Sequence, residues 1–459
     1  METQTMRPPQ PASPSPAPLR GGMFTAEDGK HLGFTFLLVS SLFLLWGFCN
    51  GMIDVMDKHF QEELHLTLTQ SANVQWAHYL GYFLMALPAG WLATRLGYKG
   101  GIIAGLLMVA AGGLWFIPAT HIAKFWAFLV GVCFIAAGLT FLETIANPYT
   151  TVLGPKPFAA ARINLAQSCN GIGWVLGPIA GSMFFYGKDA AGKNTGSATL
   201  WIPYAGVAVV VIVLAVIFYF ASVPDIKTED DYHLDDPGAN ANASRSIWSH
   251  PHFWMAVIAQ FFYVAAQAGI FAFFINYITS QTPAIPDALA SQLKASWIET
   301  GHDGVAHFSN AFGSILASVG FGCFLLGRFT GAILLKKLSA HRLLGIYGFL
   351  SALVCLLIAL KLGWFSVVCV FLAYFFMSIM FPTIFALGIF GLGVRAKKAS
   401  SYIVMAIMGG ALLPKLMGSV ADHYDVSRSF VVPLFCFLIV GIYGLCWPRL
   451  SKAQAAPAK

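Results

Sequence analysis

The stretch GLTFLETIANPYTTVLG, residues 138–154, places a carboxylate, an amide and a proline inside a long apolar run that begins near Phe125. An acidic side chain at the centre of a membrane helix costs roughly 2.5–3.5 kcal/mol on insertion scales. Glu143 therefore needs a partner, a proton or water beside it. The rest of the chain decides which.

Only 10% of the 459 residues are charged, 57% are hydrophobic, and the mean hydropathy is +0.70. A soluble domain carries about 25% charged residues, so the composition is that of a membrane protein. Runs of about 20 apolar residues mark spanning helices. Twelve such runs are expected, at 34–56, 71–93, 101–117, 125–146, 163–186, 200–223, 253–277, 312–335, 344–360, 367–390, 402–420 and 430–446. No period-two alternation dominates, which argues against a β-barrel. The fold class expected is all-α, with twelve transmembrane helices in two six-helix bundles.

The net charge of +7 reports topology. With the N-terminus inside, the tails and even-numbered connections hold 18 of the 27 lysines and arginines, and the odd-numbered connections hold 7. That bias obeys the positive-inside rule and puts both termini in the cytoplasm of a cell whose inner (plasma) membrane the chain spans. Nucleic-acid binding does not follow from it. All eight cysteines sit in apolar runs without CxxC or Cys/His spacing, and read as small packing residues. Neither a metal site nor a cofactor is expected. With no nucleophile–base pair or phosphate loop, the chain does not read as an enzyme.

Residues 1–33 form a Pro-rich tail, read as a disordered cytoplasmic extension. An N-terminal bundle is expected over 34–223, a polar linker over 224–251, a C-terminal bundle over 252–447 and a short tail over 448–459. The halves repeat weakly. PYTTVLG (148–154) and PTIFALG (382–388) share Pro and Leu-Gly spacing, and Pro178 and Pro414 fall at corresponding points.

Polar residues recur at helical spacing. Trp46, Asn50 and Asp54 share a face of the first span, with Asp57 and Lys58 read as its outer end. Asn164, Gln167 and Asn170 form an amide stripe on the fifth span, suited to sugar contact or to interhelical hydrogen bonds. Gly173, Gly177 and Gly181 give the same span a face for close packing. The seventh span offers Gln260, Tyr263, Gln267, Asn276 and Tyr277. Arg328 lies in the eighth span and Lys415 in the eleventh, each readable as a cavity residue or, respectively, as an ion-pair partner and a snorkelling lysine.

A sugar presents hydroxyls that donate and accept, and an apolar ring face. Amides and carboxylates with aromatic platforms suit it. Trp46, Tyr263 and Phe381 supply the platforms, and Asn147 lies one turn beyond Glu143. A carboxyl group in a membrane can take a proton on one side and release it on the other. Glu143 falls in the inner half of the fourth span and Asp54 in the outer half of the first, which suggests two acidic stations on one path.

LWGFCNGMIDVMDKHFQ, GLTFLETIANPYTTVLGP, ARINLAQSCN, GRFTG and FPTIFALGIFGLG together resemble the fucose:proton symporter family of the major facilitator superfamily, over nearly the whole chain. The resemblance implies alternating access, a monosaccharide substrate and a coupling cation. It places the coupling acids at Asp54 and Glu143 and sugar-facing amides at Gln167 and Asn170. There are departures. Thr94 stands where the superfamily's short cytoplasmic turn between the second and third spans usually has an aspartate, Phe381 where fucose-handling relatives can carry tyrosine, and Lys415 where an apolar residue or proline is usual. The expectation is import of a monosaccharide by proton symport, with L-fucose first and glucose, galactose or an amino sugar open. The partners expected are the sugar, a proton or sodium ion and the lipid bilayer, with the protein a monomer. The rival readings are a sodium-coupled symporter, a multidrug-type antiporter of the same fold and a non-transporting sugar sensor.

Overall fold

The computed structural model describes residues 23–25, 31–154, 159–186, 200–221, 223, 247–286, 291–300, 306–335, 338–390, 392 and 396–452. Among these, ten helices are long and apolar enough to cross a membrane. Two more match them in length but carry more polar residues, the second span at 73–96 and the fifth at Ala159–Phe185. The other spans, in order, are Gly33–Glu63, 98–122, Phe125–Val152, Trp201–Phe220, Pro251–Ser280, Asn310–Leu334, Ala340–Ala359, Trp364–Ile389, 396–423 and Val431–Lys452. The 224–246 part of the expected linker lies outside the described residues.

Several local features set the packing. The second and third spans are one helical run broken at Gly97, whose φ of 70° and ψ of −177° turn the chain within a single residue. A side chain resists that conformation and glycine does not. The first and fifth spans touch backbone to backbone, and a Cβ on Gly177 would sit 2.7 Å from the carbonyl carbon of Gly51. Small residues at four-residue spacing permit that approach.

Two spans of the second half are broken. The tenth consists of Trp364–Met377 and Met380–Ile389, and the eleventh of Ala396–Met405 and Gly409–His423 joined by a 3-10 turn at Ala406–Met408. Interrupted helices leave backbone groups without intrahelical partners. Tyr263 of the seventh span answers one of them, donating to the Met377 carbonyl at 3.0 Å.

The structure corrects one expectation. The first span does not end at Asp57 and Lys58 but runs to Glu63, and Asp57 is only 1% exposed. Its last two turns are covered by the short helix Leu68–Ser71 and by Tyr186 and Phe185 of the fifth span's end. Among the described residues of the N-terminal stretch, Leu32 N–H donates to Phe24 O at 2.7 Å, and the rings of Phe24 and Phe36 lie 4.8 Å apart. Between the seventh and eighth spans a short antiparallel ribbon pairs Ile298–Thr300 with Ala306–Phe308.

Hydrogen bonds that join the two halves cluster at the end of the bundle away from the termini. Asn310 donates to Glu62, Ser182 to Ala311 O and Ser314 to Pro178 O. Asp422 accepts from the backbone of Leu68 and Thr69.

Candidate functional site between the two halves

The first two spans run antiparallel and present facing polar stripes. Trp46 Nε1 donates to Tyr82 Oη at 2.7 Å, and Asn50 also reaches that hydroxyl. Two turns further on, Gln75 Nε2 donates to Asp54 Oδ1 at 2.7 Å. The pairs 46/82 and 54/75 are the register of two antiparallel helices in contact. Between them lie His78 and Tyr79, which line a cavity with Asn50, Ile53, Asp54 and Gln75. Trp174, Ala268 and Phe271 close it from the fifth and seventh spans. The cavity holds about 10 Å³, room for about one water molecule and far less than a sugar needs.

Glu143 is half-buried in the fourth span, close enough for its charge to act on both Tyr79 and Tyr82. The charge of Asp54 also acts on Tyr79. The two carboxyl groups therefore share one tyrosine as a neighbour, although they come from different spans. Asp54 Oδ2, Asn50 Oδ1 and His78 Nδ1 are buried without a hydrogen-bond partner among the described residues. Buried polar atoms in native structures are overwhelmingly paired, so a cluster of exceptions marks a place where other groups bind.

The remaining expected residues divide. Gln260 is fully buried, and neither amide atom finds a partner among the described residues. Gln267 and Gln167 are half-buried, and Gln167 is engaged in a polar contact. Asn170 is buried and donates to Phe43 O at 3.2 Å, the interhelical use of its amide. Tyr263 spends its hydroxyl on Met377 O, and its ring lies edge-on to Phe381 at 6.3 Å. Arg328 stacks over Phe324 at 4.8 Å, and its charge reaches Tyr263. Asn276 is buried about two and a half turns from Gln267, towards the end away from the termini. The Nζ of half-buried Lys415 lies 5.1 Å from the Trp76 ring, across the interface between the halves. The side chain of Asn147 lies outside the described residues.

The second-span stripe of Gln75, His78, Tyr79 and Tyr82 escapes the sequence reading, as do Tyr374 and Trp174. Its signal is nonetheless present, since the positions follow i, i+3, i+4 and i+7.

A family model described as Major Facilitator Superfamily matches residues 35–281. The chain is also 33% identical over 436 residues to the L-fucose-proton symporter of Escherichia coli (strain K12), an alignment spanning 91% of this chain and 94% of that one. The chain belongs to the Major Facilitator Superfamily. A second superfamily relative, a glucose/galactose transporter of Brucella abortus (strain 2308), is 30% identical over 417 residues, 91% of this chain and 94% of that one. A superfamily transporter solved in the outward conformation is 31% identical, with a TM-score of 0.64 over 90% of this chain and 99% of that one. These relatives are transporters, and nothing in the comparison points to an enzyme.

Proposed function

We propose that the protein imports a monosaccharide by proton symport through alternating access, with L-fucose the first candidate and glucose, galactose or an amino sugar behind it. The observation that carries the reading is the pair Asp54 and Glu143, two carboxyl groups inside an apolar bundle near enough to one tyrosine, Tyr79, for the charge of each to act on it. Carboxyl groups at such depth are costly, and proton relays are where membrane proteins use them. The amides of Asn50, Gln167, Asn147, Gln260 and Gln267 and the Trp46 platform offer the chemistry of a sugar site. The relatives' names, an L-fucose-proton symporter and a glucose/galactose transporter, support the same substrate class. Glucose or galactose is the second reading, supported by the name of the glucose/galactose transporter relative.

The proposed orientation has both termini inside the cell. The end where Asp422 and Glu62 join the halves is then the outer one, so this structure is closed outside. That is the reverse of the outward conformation of the 31% identical relative, and rocking of one half on the other interconverts the two states. The protein works as a monomer in the inner membrane on this reading.

The test is external pH in lightly buffered, energy-depleted right-side-out vesicles as single sugars are added. Symport gives alkalinisation with one sugar, abolished by Glu143→Gln. Uptake of that sugar with no pH change refutes proton coupling.

A further inference from the structure

A carboxyl group that ferries a proton passes through two forms, and a buried one needs a partner in both. A lysine or arginine satisfies only the ionised form and holds the group there. Asp425, at the membrane edge, shows that arrangement: Lys361 Nζ lies 2.9 Å from its Oδ2, Arg428 Nε 3.4 Å from the same oxygen, and the Arg428 backbone N–H bonds its Oδ1. Asp54 is built differently. The polar groups around it are Gln75 and Tyr79 of the second span, His78, which lines the same cavity, Asp57 of its own helix and Tyr374 of the tenth. None of these is a lysine or arginine.

Of these, Gln75 makes the close contact, and both it and Asp54 are buried, at 2% and 6% exposure. Its Nε2–H donates to Oδ1, while Oδ2 has no partner among the described residues. With Asp54 ionised, the amide hydrogen bond offsets part of the burial cost. With a proton on Oδ2, Oδ1 is a carbonyl oxygen that still accepts from Gln75. The same hydrogen bond serves both forms.

We infer that Gln75 is the positioning residue of the proton site: it fixes Asp54 through Oδ1 and leaves Oδ2, which has no partner among the described residues, as the oxygen that takes and gives up the proton. The inference rests on the reading of Asp54 as a proton carrier. A neutral donor here lets the charge on Asp54 come and go without breaking a contact. A cation in its place would hold the carboxylate ionised.

The experiment measures protons and sugar moved by the purified protein in proteoliposomes, as a ratio, with L-fucose, D-glucose and D-galactose each tried as substrate. Gln75→Lys is expected to lower protons moved per sugar at least tenfold, whereas damage to the fold alone lowers both fluxes together and leaves the ratio unchanged. The double variant Gln75→Lys with Asp54→Asn is expected to match Asp54→Asn alone, because two changes that act on one group are not additive. Should Gln75→Lys fail to fold, Gln75→Leu buries no charge and is expected to move the pH midpoint of uptake by a unit or more, with Gln75→Asn restoring part of the shift. A wild-type ratio in Gln75→Lys, or a wild-type pH profile in Gln75→Leu, overturns the role of Gln75. If Asp54→Asn itself keeps the wild-type ratio, the proton-carrier reading fails first, and the inference about Gln75 goes with it.

Discussion

Asp422 grips Thr69 across the two halves of the molecule: its Oδ2 accepts the Thr69 backbone N–H at 2.9 Å and the Thr69 hydroxyl at 2.7 Å, while Oδ1 takes the Leu68 N–H at 2.8 Å. The third N–H of the short helix Leu68–Ser71, from Gln70, goes to Thr67 in a capping box. The eleventh span thus finishes the cap of a helix that belongs to the first half. Unpaired N–H groups at a helix start seek an anion, and these find one only while the halves are closed at this end.

Asp422→Ala removes three hydrogen bonds from the closed state. At an exposed site they are worth roughly 1–2 kcal/mol together, so the closed population falls about 5- to 30-fold relative to the open one. Spin labels on cysteines at positions 65 and 423, in a background lacking reactive native cysteines, read the distance across this end. The variant is expected to populate a longer distance, and an unchanged distribution would remove Asp422 as a latch.

Arg162 and Gly154 predict a stability effect far from any site. The Arg162 guanidinium is fully buried and donates to the carbonyls of Thr150, Gly154 and Met23 at 3.0, 3.1 and 3.1 Å, tying the fourth span's end to the fifth span and the tail. Gly154 has φ of +144°, and a Cβ there would meet Met23 O at 2.6 Å and Arg162 Nη1 at 3.0 Å. Gly154→Ala is expected to cost about 1–3 kcal/mol through backbone strain, with further loss where Arg162 is displaced. Arg162→Lys destabilises as well, because a single ammonium cannot reproduce a planar fork directed at three carbonyls. Thermal unfolding in detergent measures both.

Asp425 predicts a pH effect. Burial raises this carboxyl, but the Arg428 backbone N–H, then Lys361 by hydrogen bond and charge, and the charge of Arg428 outweigh it and hold the group below the usual carboxylate range. A depressed folded value gives stability that is fully present above the unfolded value of about 3.9 and is lost as pH falls through the folded one. Asp425 is also the N-cap of Val426–Ser429. Asp425→Ala is expected to cost about 1 kcal/mol at neutral pH. Thermal unfolding from pH 7 down to pH 3 should show the gap between wild type and variant narrowing below about pH 4. A gap that stays constant with pH would refute the ion-pair contribution.

Half of the central site was legible because one face of one helix carried it. Trp46, Asn50 and Asp54 stand four residues apart in an otherwise apolar segment, and that spacing alone aligns them. The complementary stripe on the second span is as regular, but tyrosine, histidine and glutamine are common at membrane ends and do not stand out as a carboxylate does. The breaks in the tenth and eleventh spans have local signals that composition alone does not turn into a break. Pro382 cannot donate to the Ser378 carbonyl one turn back, and Gly409 and Gly410 follow the 3-10 turn of the eleventh span, but what makes the first break tolerable is Tyr263, more than a hundred residues earlier. Asn170 shows the converse. Its spacing was read correctly, but whether an amide serves a ligand or a neighbouring helix depends on where Phe43 O lies, which no spacing encodes.

The Trp46–Tyr82 hydrogen bond yields the last prediction. Trp46 is half-buried, and its indole N–H is held by Tyr82 Oη at 2.7 Å, one turn from Asn50. An aromatic platform held in one orientation binds a sugar face without first losing rotamer freedom, and fixing a side chain of this kind is worth roughly 0.5–1.5 kcal/mol. Tyr82→Phe keeps the ring and its packing but removes the acceptor. It is expected to raise the apparent KM for sugar about 2- to 12-fold, the equivalent of that energy, with a smaller change in maximal rate. Trp46→Phe should do the same, and the double variant should be no worse than the poorer single variant, since both act on one contact. Initial rates of labelled sugar uptake at varied concentration decide it. A KM that stays at the wild-type value in Tyr82→Phe would mean that the indole is packing for the first two spans and takes no part in binding.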